Sequence, residues 1–159
     1  MNNEMINDGI IEEQKQELPT EKRWSWIISN VTNEAAMPAI RKTIGVIAPE
    51  ELDITLPLIF EEVYTNISLH GYPLESKNKK AVITLIDREK EFIMDFKDEG
   101  VPFDSTEYPE PDPSDNTRKI GGHGIELIRK LSSKMEYFRE KKEDGSTEIN
   151  HLIIYIQKS

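Results

Sequence analysis

Residues 55–72, TLPLIFEEVYTNISLHGY, carry two stripes on one helical period. Leu56, Ile59, Phe60, Val63 and Ile67 recur at spacings of three and four, which makes a buried face. Glu62, Asn66 and His70 are each four apart and stack along a neighbouring stripe. An amide oxygen suits Mg²⁺, which keeps waters and adds phosphate oxygens. A carboxylate one turn earlier is placed to orient a water or accept a hydroxyl proton. Glu61 points about 100° away on a helix, so Glu62 is the better candidate of the two. Three solvated side chains on an ordinary polar helix surface give the same pattern, and the helix alone does not choose.

The flanking segments define its surroundings. Asp53 or Thr55 is expected to cap this helix, with Pro57 in its first turn, and Gly71 and Pro73 end it. Upstream, residues 23–31, RWSWIISNV, are aromatic and β-branched and read as a strand. Asn33 is placed to cap the helix that follows, whose Ala36, Ile40, Ile44 and Ile47 form a core stripe and whose Pro38 falls in the first turn. Downstream, AVITLID (81–87) and EFIMDFKD (91–98) read as two strands of an antiparallel hairpin.

Residues 99–120 hold Pro102, Pro109, Pro111 and Pro113 and can be neither helix interior nor central strand. A structureless connection of that length is a functional lid or a disordered segment. A helix then begins after Gly121-Gly122-His123-Gly124, with Ile125, Leu127, Ile128 and Leu131 inward. Two strands, 134–141 and 147–157, follow around a turn at 143–146; His151 alternates with the core residues of the second and is expected to face solvent. Helices gathered on one face of a mixed, mostly antiparallel sheet make an α+β fold, a two-layer α/β sandwich. Residues 1–20 are acidic, amide-rich and without aromatics, and read as a flexible N-terminal arm ahead of a single domain over 21–159.

The 159 residues, 36% hydrophobic and 31% charged, fit one soluble domain with a real core. No stretch is long and apolar enough to cross a bilayer, and the first residues lack the basic start and apolar run of a signal peptide. The absence of cysteine excludes disulfides, thiol catalysis and Cys-ligated zinc, and fits a cytoplasmic location. A net charge of −10 argues against nucleic acid as the main partner, and no membrane partner is expected. A small phosphate ligand remains compatible, since backbone N–H groups, one or two cations and Mg²⁺ can hold it.

Two further constellations matter. Asp98-Glu99-Gly100-Val101-Pro102-Phe103-Asp104 stands at a strand end, where a carboxylate can accept from a ligand amino group and Gly100 lets a flat ring approach the backbone. A plain strand-end turn uses the same residues. Gly121, Gly122 and Gly124 expose backbone N–H groups at a helix N-terminus, with Arg118 and Lys119 adding charge just upstream. That is a phosphate cradle in principle, or a hinge at the end of a lid. It is not a Walker A loop, because no Gly-Lys-Ser/Thr follows.

Together and in this order, the segments resemble the GHKL (Bergerat-fold) ATPases, and within them the anti-sigma regulatory factor serine/threonine kinases. EEVYTNISLHGY resembles the N box, with its Glu-x₃-Asn core at Glu62 and Asn66; DEGVPFD resembles the G1 box and GGHGIELIRKL the G2 box. The resemblance spans roughly residues 22–157 and implies the Bergerat ATP-binding fold, with ATP and Mg²⁺ as cofactors and residues 101–120 as the ATP lid. It implies Asn66 as the Mg²⁺ ligand, Asp98 as acceptor from the adenine amino group, and Gly100 as room for the ring. It places Pro102, Arg118, Lys119, Gly121, Gly122, His123, Gly124 and Ile125 along the nucleotide. Thr147 resembles the final Thr that joins the adenine network, and Glu62 becomes the base toward a partner Ser or Thr. The implied activity is phosphoryl transfer to a STAS-type anti-anti-sigma protein in a partner-switching pathway, with a sigma factor as second partner and a homodimer as the assembly. The competing reading is a Bergerat-fold module that binds nucleotide or a partner without kinase activity.

Overall fold

Side-chain alternation decides which face of each strand is buried, and it is in step across the whole sheet. The computed structural model describes residues 2–72, 79–104, 106, 123–145 and 147–159, with Asn2 and His123 as backbone only. Among these residues the elements run β1 (Asn2–Ile6), β2 (Ile11–Glu17), β3 (Glu21–Ile28), α1 (Ala36–Ile47), α2 (Thr55–Asn66), β4 (Ala81–Arg88), β5 (Glu91–Asp98), α3 (His123–Leu131), β6 (Lys134–Lys141) and β7 (Glu148–Gln157). The strands form one 7-stranded sheet in the order β1-β2-β3-β4-β5-β7-β6, each neighbouring pair antiparallel. Because β7 lies between β5 and β6, the end of β5 is paired with the start of β7, and Asp98 stands opposite Asn150.

One row shows the parity. Trp26 pairs with Ile83, Ile83 with Phe96, and Phe96 with Leu152; all four are buried. Ala36, Ile40 and Ile44 of α1, Leu56, Ile59, Phe60 and Val63 of α2, and Ile128 of α3 join the same core. The expected two-layer α/β sandwich is therefore present. Each fully buried side chain of this size contributes roughly 1.5–3 kcal/mol. That exceeds any difference in helix propensity, so burial fixes where α2 lies.

Helix starts differ from expectation. Neither Asp53 nor Thr55 caps α2; Ile54 holds the N-cap position without a side-chain bond, after a 3₁₀ turn at Glu50–Leu52. Asn33 sits too early to cap α1. Its side-chain oxygen accepts from the Ala35 N–H at 2.9 Å in a turn, and Ala35 precedes the helix. Pro38 and Pro57 both fall in first turns, as expected.

The expectation of a flexible arm over 1–20 is overturned for residues 2–17, which form the β1–β2 hairpin. Asn7, Asp8 and Gly9 make its turn, with φ of 52°, 56° and 86°. Asn and Asp tolerate this left-handed region better than other non-glycine residues. Ile11 pairs with Ile28 and is fully buried. Glu13 is buried on the same face and accepts from the Trp26 indole N–H at 2.8 Å. Backbone pairing, the buried Ile11 side chain and polar contacts such as this one hold a segment whose composition alone is that of a disordered tail. His151 also departs from expectation. Its parity places it on the face away from the helices, yet it is 8% exposed. It is enclosed by Asp95 (2.7 Å), Glu140 (3.4 Å) and the Phe138 ring.

Candidate functional site

After Asn66 the helix does not stop. It widens into a π turn over Ile67–Gly71, a local irregularity that often marks a functional site. The turn delivers the Gly71 carbonyl to the loop after β5, where it accepts from the Val101 N–H at 2.7 Å. A Cβ on Gly100 would lie far inside contact distance of that carbonyl and close to Asp98 Oδ1. Gly100 is thus required by a backbone crossing. The space its missing side chain leaves is filled by the π turn rather than kept for a ring, which corrects the role expected of it. Tyr72 locks the crossing from below: its hydroxyl donates to the Lys80 carbonyl and accepts from the Glu99 N–H at 2.8 Å. Burial pushes the Tyr72 phenol well above its ordinary range, so it stays a neutral donor.

A cavity opens beside this crossing. Val63, Ile67, Phe96 and Leu152 line it with apolar surface, and Asn66, Asp98 and Asn150 with polar groups; His70 and Phe103 also border it. The stripe residues Asn66 and His70 and the strand-end Asp98 are therefore brought together. Asp98 is 7% exposed. Its Oδ1 accepts from the Gly100 N–H at 2.9 Å and from Asn150 Nδ2 at 3.0 Å. Its Oδ2 has no hydrogen-bond partner among the described residues. Burial raises the Asp98 carboxyl above its usual value, while Asn150, the Gly100 N–H and the Arg139 charge act in the opposite direction. An apolar slot ending in one free, oriented carboxylate oxygen suits a flat ring bearing an amino group.

Glu62 stands elsewhere. It lines a neighbouring cavity with Gly124, Glu126, Leu127 and Lys130. Its carboxylate rests on the first turn of α3, so closely that a Cβ on Gly124 would overlap Oε2. Negative charge is favoured at that helix end. Glu61, by contrast, turns toward α1 and pairs with Arg41 at 3.0 Å. Ile125 is buried, and Pro102 is exposed. Arg118, Lys119, Gly121 and Gly122 lie outside the described residues, as does most of the 101–120 segment, and His123 is described only as the first residue of α3.

Thr147 does not reach Asp98. It lies one residue before β7, exposed, with its hydroxyl donating to Glu99 at 3.4 Å. Asn150 holds the position opposite Asp98 instead, and sequence reasoning missed it. The signal was available: Asn150 shares parity with Leu152, Ile154 and Ile156, and a polar residue in an apolar row has a reason to be there.

An apolar cavity between a helix layer and an antiparallel sheet, with a buried acid among its polar groups, suits a nucleotide-binding module. The chain belongs to the family of histidine kinase-like ATPase domains, whose model matches residues 32–150. It is an ATP-binding module of the GHKL superfamily. The matched span starts after β3, so the first three strands lie outside it. No curated protein matches the chain. None of the helices among the described residues is long and apolar enough to cross a membrane.

The lining suits the base of ATP by its apolar walls and by the Asp98 oxygen that has no partner among the described residues. The donor set around Asn66 is sparse: among the described residues no three His, Cys, Asp or Glu side chains converge on a metal position. A single amide at the cavity edge suits an ion held mainly by phosphates and water, which is how Mg²⁺ accompanies ATP. Mg²⁺ bound there would neutralise phosphate charge.

Proposed function

We propose that the chain is a cytoplasmic ATP-dependent protein serine/threonine kinase of the anti-sigma-factor type. Its phosphate acceptor is a Ser or Thr of a STAS-type antagonist in a partner-switching pathway that regulates transcription. A sigma factor is the alternative partner, and the chain works as a homodimer without contacting nucleic acid or membrane. The observation that carries the reading is the Glu62–Asn66 pair on consecutive turns of α2, with Asn66 on the Asp98 cavity and Glu62 on the first turn of α3. Asn66 would hold Mg²⁺ and Asp98 the adenine amino group. Glu62 would take the hydroxyl proton of the acceptor. Phosphoryl transfer asks little else of the protein than positioning and charge neutralisation.

The test is transfer of the γ-phosphate of labelled ATP, with Mg²⁺, to a purified STAS-domain protein. Wild type should label the acceptor on Ser or Thr. Glu62→Gln should bind ATP within about threefold of wild type and transfer at least roughly 100-fold more slowly. A wild type that binds ATP and labels no acceptor gives the ground to the second reading, a nucleotide- and partner-binding module. That reading has one observation in its favour: the Glu62 carboxylate rests on Gly124, away from the Asp98 cavity.

A further inference from the structure

The face of the sheet turned away from the helices carries a further cavity, of about 170 Å³, that the kinase reading leaves unused. Strand register builds its apolar wall. Ile27 of β3 pairs with Val82 of β4, and Val82 with Lys97 of β5. Ile149 of β7 shares that face, two residues before His151, which pairs with Lys97. Ile27, Val82 and Ile149 are half-buried there. Lys80, Lys97 and Lys142 stand around the same cavity. A lysine stem covers apolar surface while its ammonium stays in water, so such a rim sets charge at the mouth of an apolar hollow. Two of the three are matched. Lys97 lies 3.8 Å from Glu140, and Lys142 pairs with Glu99, with Asp144 close enough to act on it as well. Lys80 is exposed and has no acid within ion-pair distance among the described residues. Asp98 borders both this cavity and the nucleotide cavity, but Asn150 holds its carboxylate on the nucleotide side.

We propose that this outer cavity binds a small apolar monocarboxylate, with its chain against Ile27, Val82 and Ile149 and its carboxylate at Lys80. Size sets the chain: an apolar cavity of about 150 Å³ in another protein holds benzene, so this one has room for about six carbon atoms. Charge sets the head group. The carboxylate gains a charge-assisted bond at the one unmatched ammonium, whereas an alcohol of the same length gains only the apolar contact. The occupant carries one negative charge rather than two, because a second carboxylate would meet Lys97 and Lys142 beside the acids that already hold them.

The inference stands apart from the ATP-binding reading, so the experiment is run on the full chain without nucleotide. Hexanoate, 1-hexanol and acetate are titrated separately while the backbone amide signals of Lys80, Val82, Lys97 and Ile149 are followed by NMR. Hexanoate should shift these signals saturably with a Kd on the order of 1–10 mM. 1-Hexanol, which lacks the charge, and acetate, which lacks the chain, should each bind at least roughly threefold more weakly. Lys80→Gln, at an exposed position, should bring hexanoate down to the level of 1-hexanol and leave 1-hexanol itself unchanged. Val82→Thr keeps the shape of the wall and adds a hydroxyl; it should weaken hexanoate and 1-hexanol alike, by roughly threefold. Circular dichroism checks that both variants fold, and Lys80→Gln carries the test if Val82→Thr does not. Wild type that binds hexanoate no better than 1-hexanol overturns the proposal, as does Lys80→Gln that binds hexanoate like wild type. Signals that move with protein concentration alone place a second copy of the chain over the cavity and overturn it too.

Discussion

Replacing Asp98 with Asn exchanges one oxygen for an NH₂ group and keeps the shape. The structure dictates how the new amide must sit. The Gly100 N–H and Asn150 Nδ2 both donate to the inner oxygen, at 2.9 and 3.0 Å. The amide oxygen must stay there, so the NH₂ group turns to the cavity and an acceptor becomes a donor. The charge-assisted bond to the adenine amino group is lost, at about 1.5–3 kcal/mol, and two donors now face each other, at about 1–3 kcal/mol. With tenfold in Kd for each 1.4 kcal/mol, ATP should bind at least roughly 100-fold more weakly. Calorimetric titration of the full chain with Mg²⁺·ATP reads this directly. Asp98→Asn binding ATP within about threefold of wild type would refute the assignment of the cavity.

The same variant makes a separate statement about stability. Burial raises the folded-state pKa of Asp98. A raised acid means that the folded chain holds a proton the unfolded chain has released. Stability without nucleotide is then greatest below the ordinary Asp value of about 3.9 and falls as pH rises through the folded value. Asp98→Asn has no such loss. Its melting temperature should gain on wild type between about pH 4 and neutrality. A variant that instead loses ground over that window shows that the buried charge is a net support of the fold.

Three further outcomes follow from the geometry. Gly100→Ala places a methyl group on the Gly71 carbonyl, and both partners are backbone, so the folded state should lose about 1–3 kcal/mol by urea unfolding and ATP affinity should fall with it. Gly124→Ala places a methyl group on the end of a flexible side chain, Glu62; urea unfolding should register less than about 1 kcal/mol, while transfer to an acceptor drops because Glu62 has been displaced. Deleting residues 1–17 uncovers Ile28 and removes the Glu13 partner of Trp26. The urea midpoint should fall by the equivalent of about 2–4 kcal/mol, with ATP affinity within about threefold of wild type; an unchanged midpoint would show that the hairpin does not hold the sheet.

What was legible in the sequence was whatever periodicity controls. The apolar stripe of α2, the β4–β5 hairpin and the Ile125, Ile128 and Leu131 side of α3 come from repeats of two and 3.6, and the structure has them, although Leu127, expected inward, is only half-buried. Asp98 was legible as a strand-end acid. What was missed has no periodic signature. A π turn adds one residue to a helical turn and leaves the apolar pattern almost intact, so the reason for Gly100 could not be seen without the Gly71 carbonyl in place. The β1–β2 strands are held largely by ladder bonds that hydropathy does not count, with Ile11 as their one core side chain, although Asn7-Asp8-Gly9 was a turn signal. His151 was assigned to the correct face but not to burial, because Asp95, Glu140 and Phe138 meet it only through strand pairing. Asn150 had no motif to mark it, and only the register of β5 against β7 sets it opposite Asp98.

α2 ties the two ends of the site together. Its C-terminal continuation, the π turn, fixes the crossing that orients Asp98, and its middle presents Glu62 to α3. The two ends are held by different means. At the base end every partner of Asp98 is a backbone amide or a side chain itself pinned by two donors. At the other end one flexible carboxylate leans on one glycine at the start of a helix. A hydrogen-bonded network around a buried group resists displacement, while a single contact to a helix terminus is worth about 0.3–1 kcal/mol and yields easily. The Asp98 side chain is therefore fixed more firmly than the Glu62 side chain. Glu62 is the group of the pair more easily displaced, and Gly124→Ala is the substitution that reads its position.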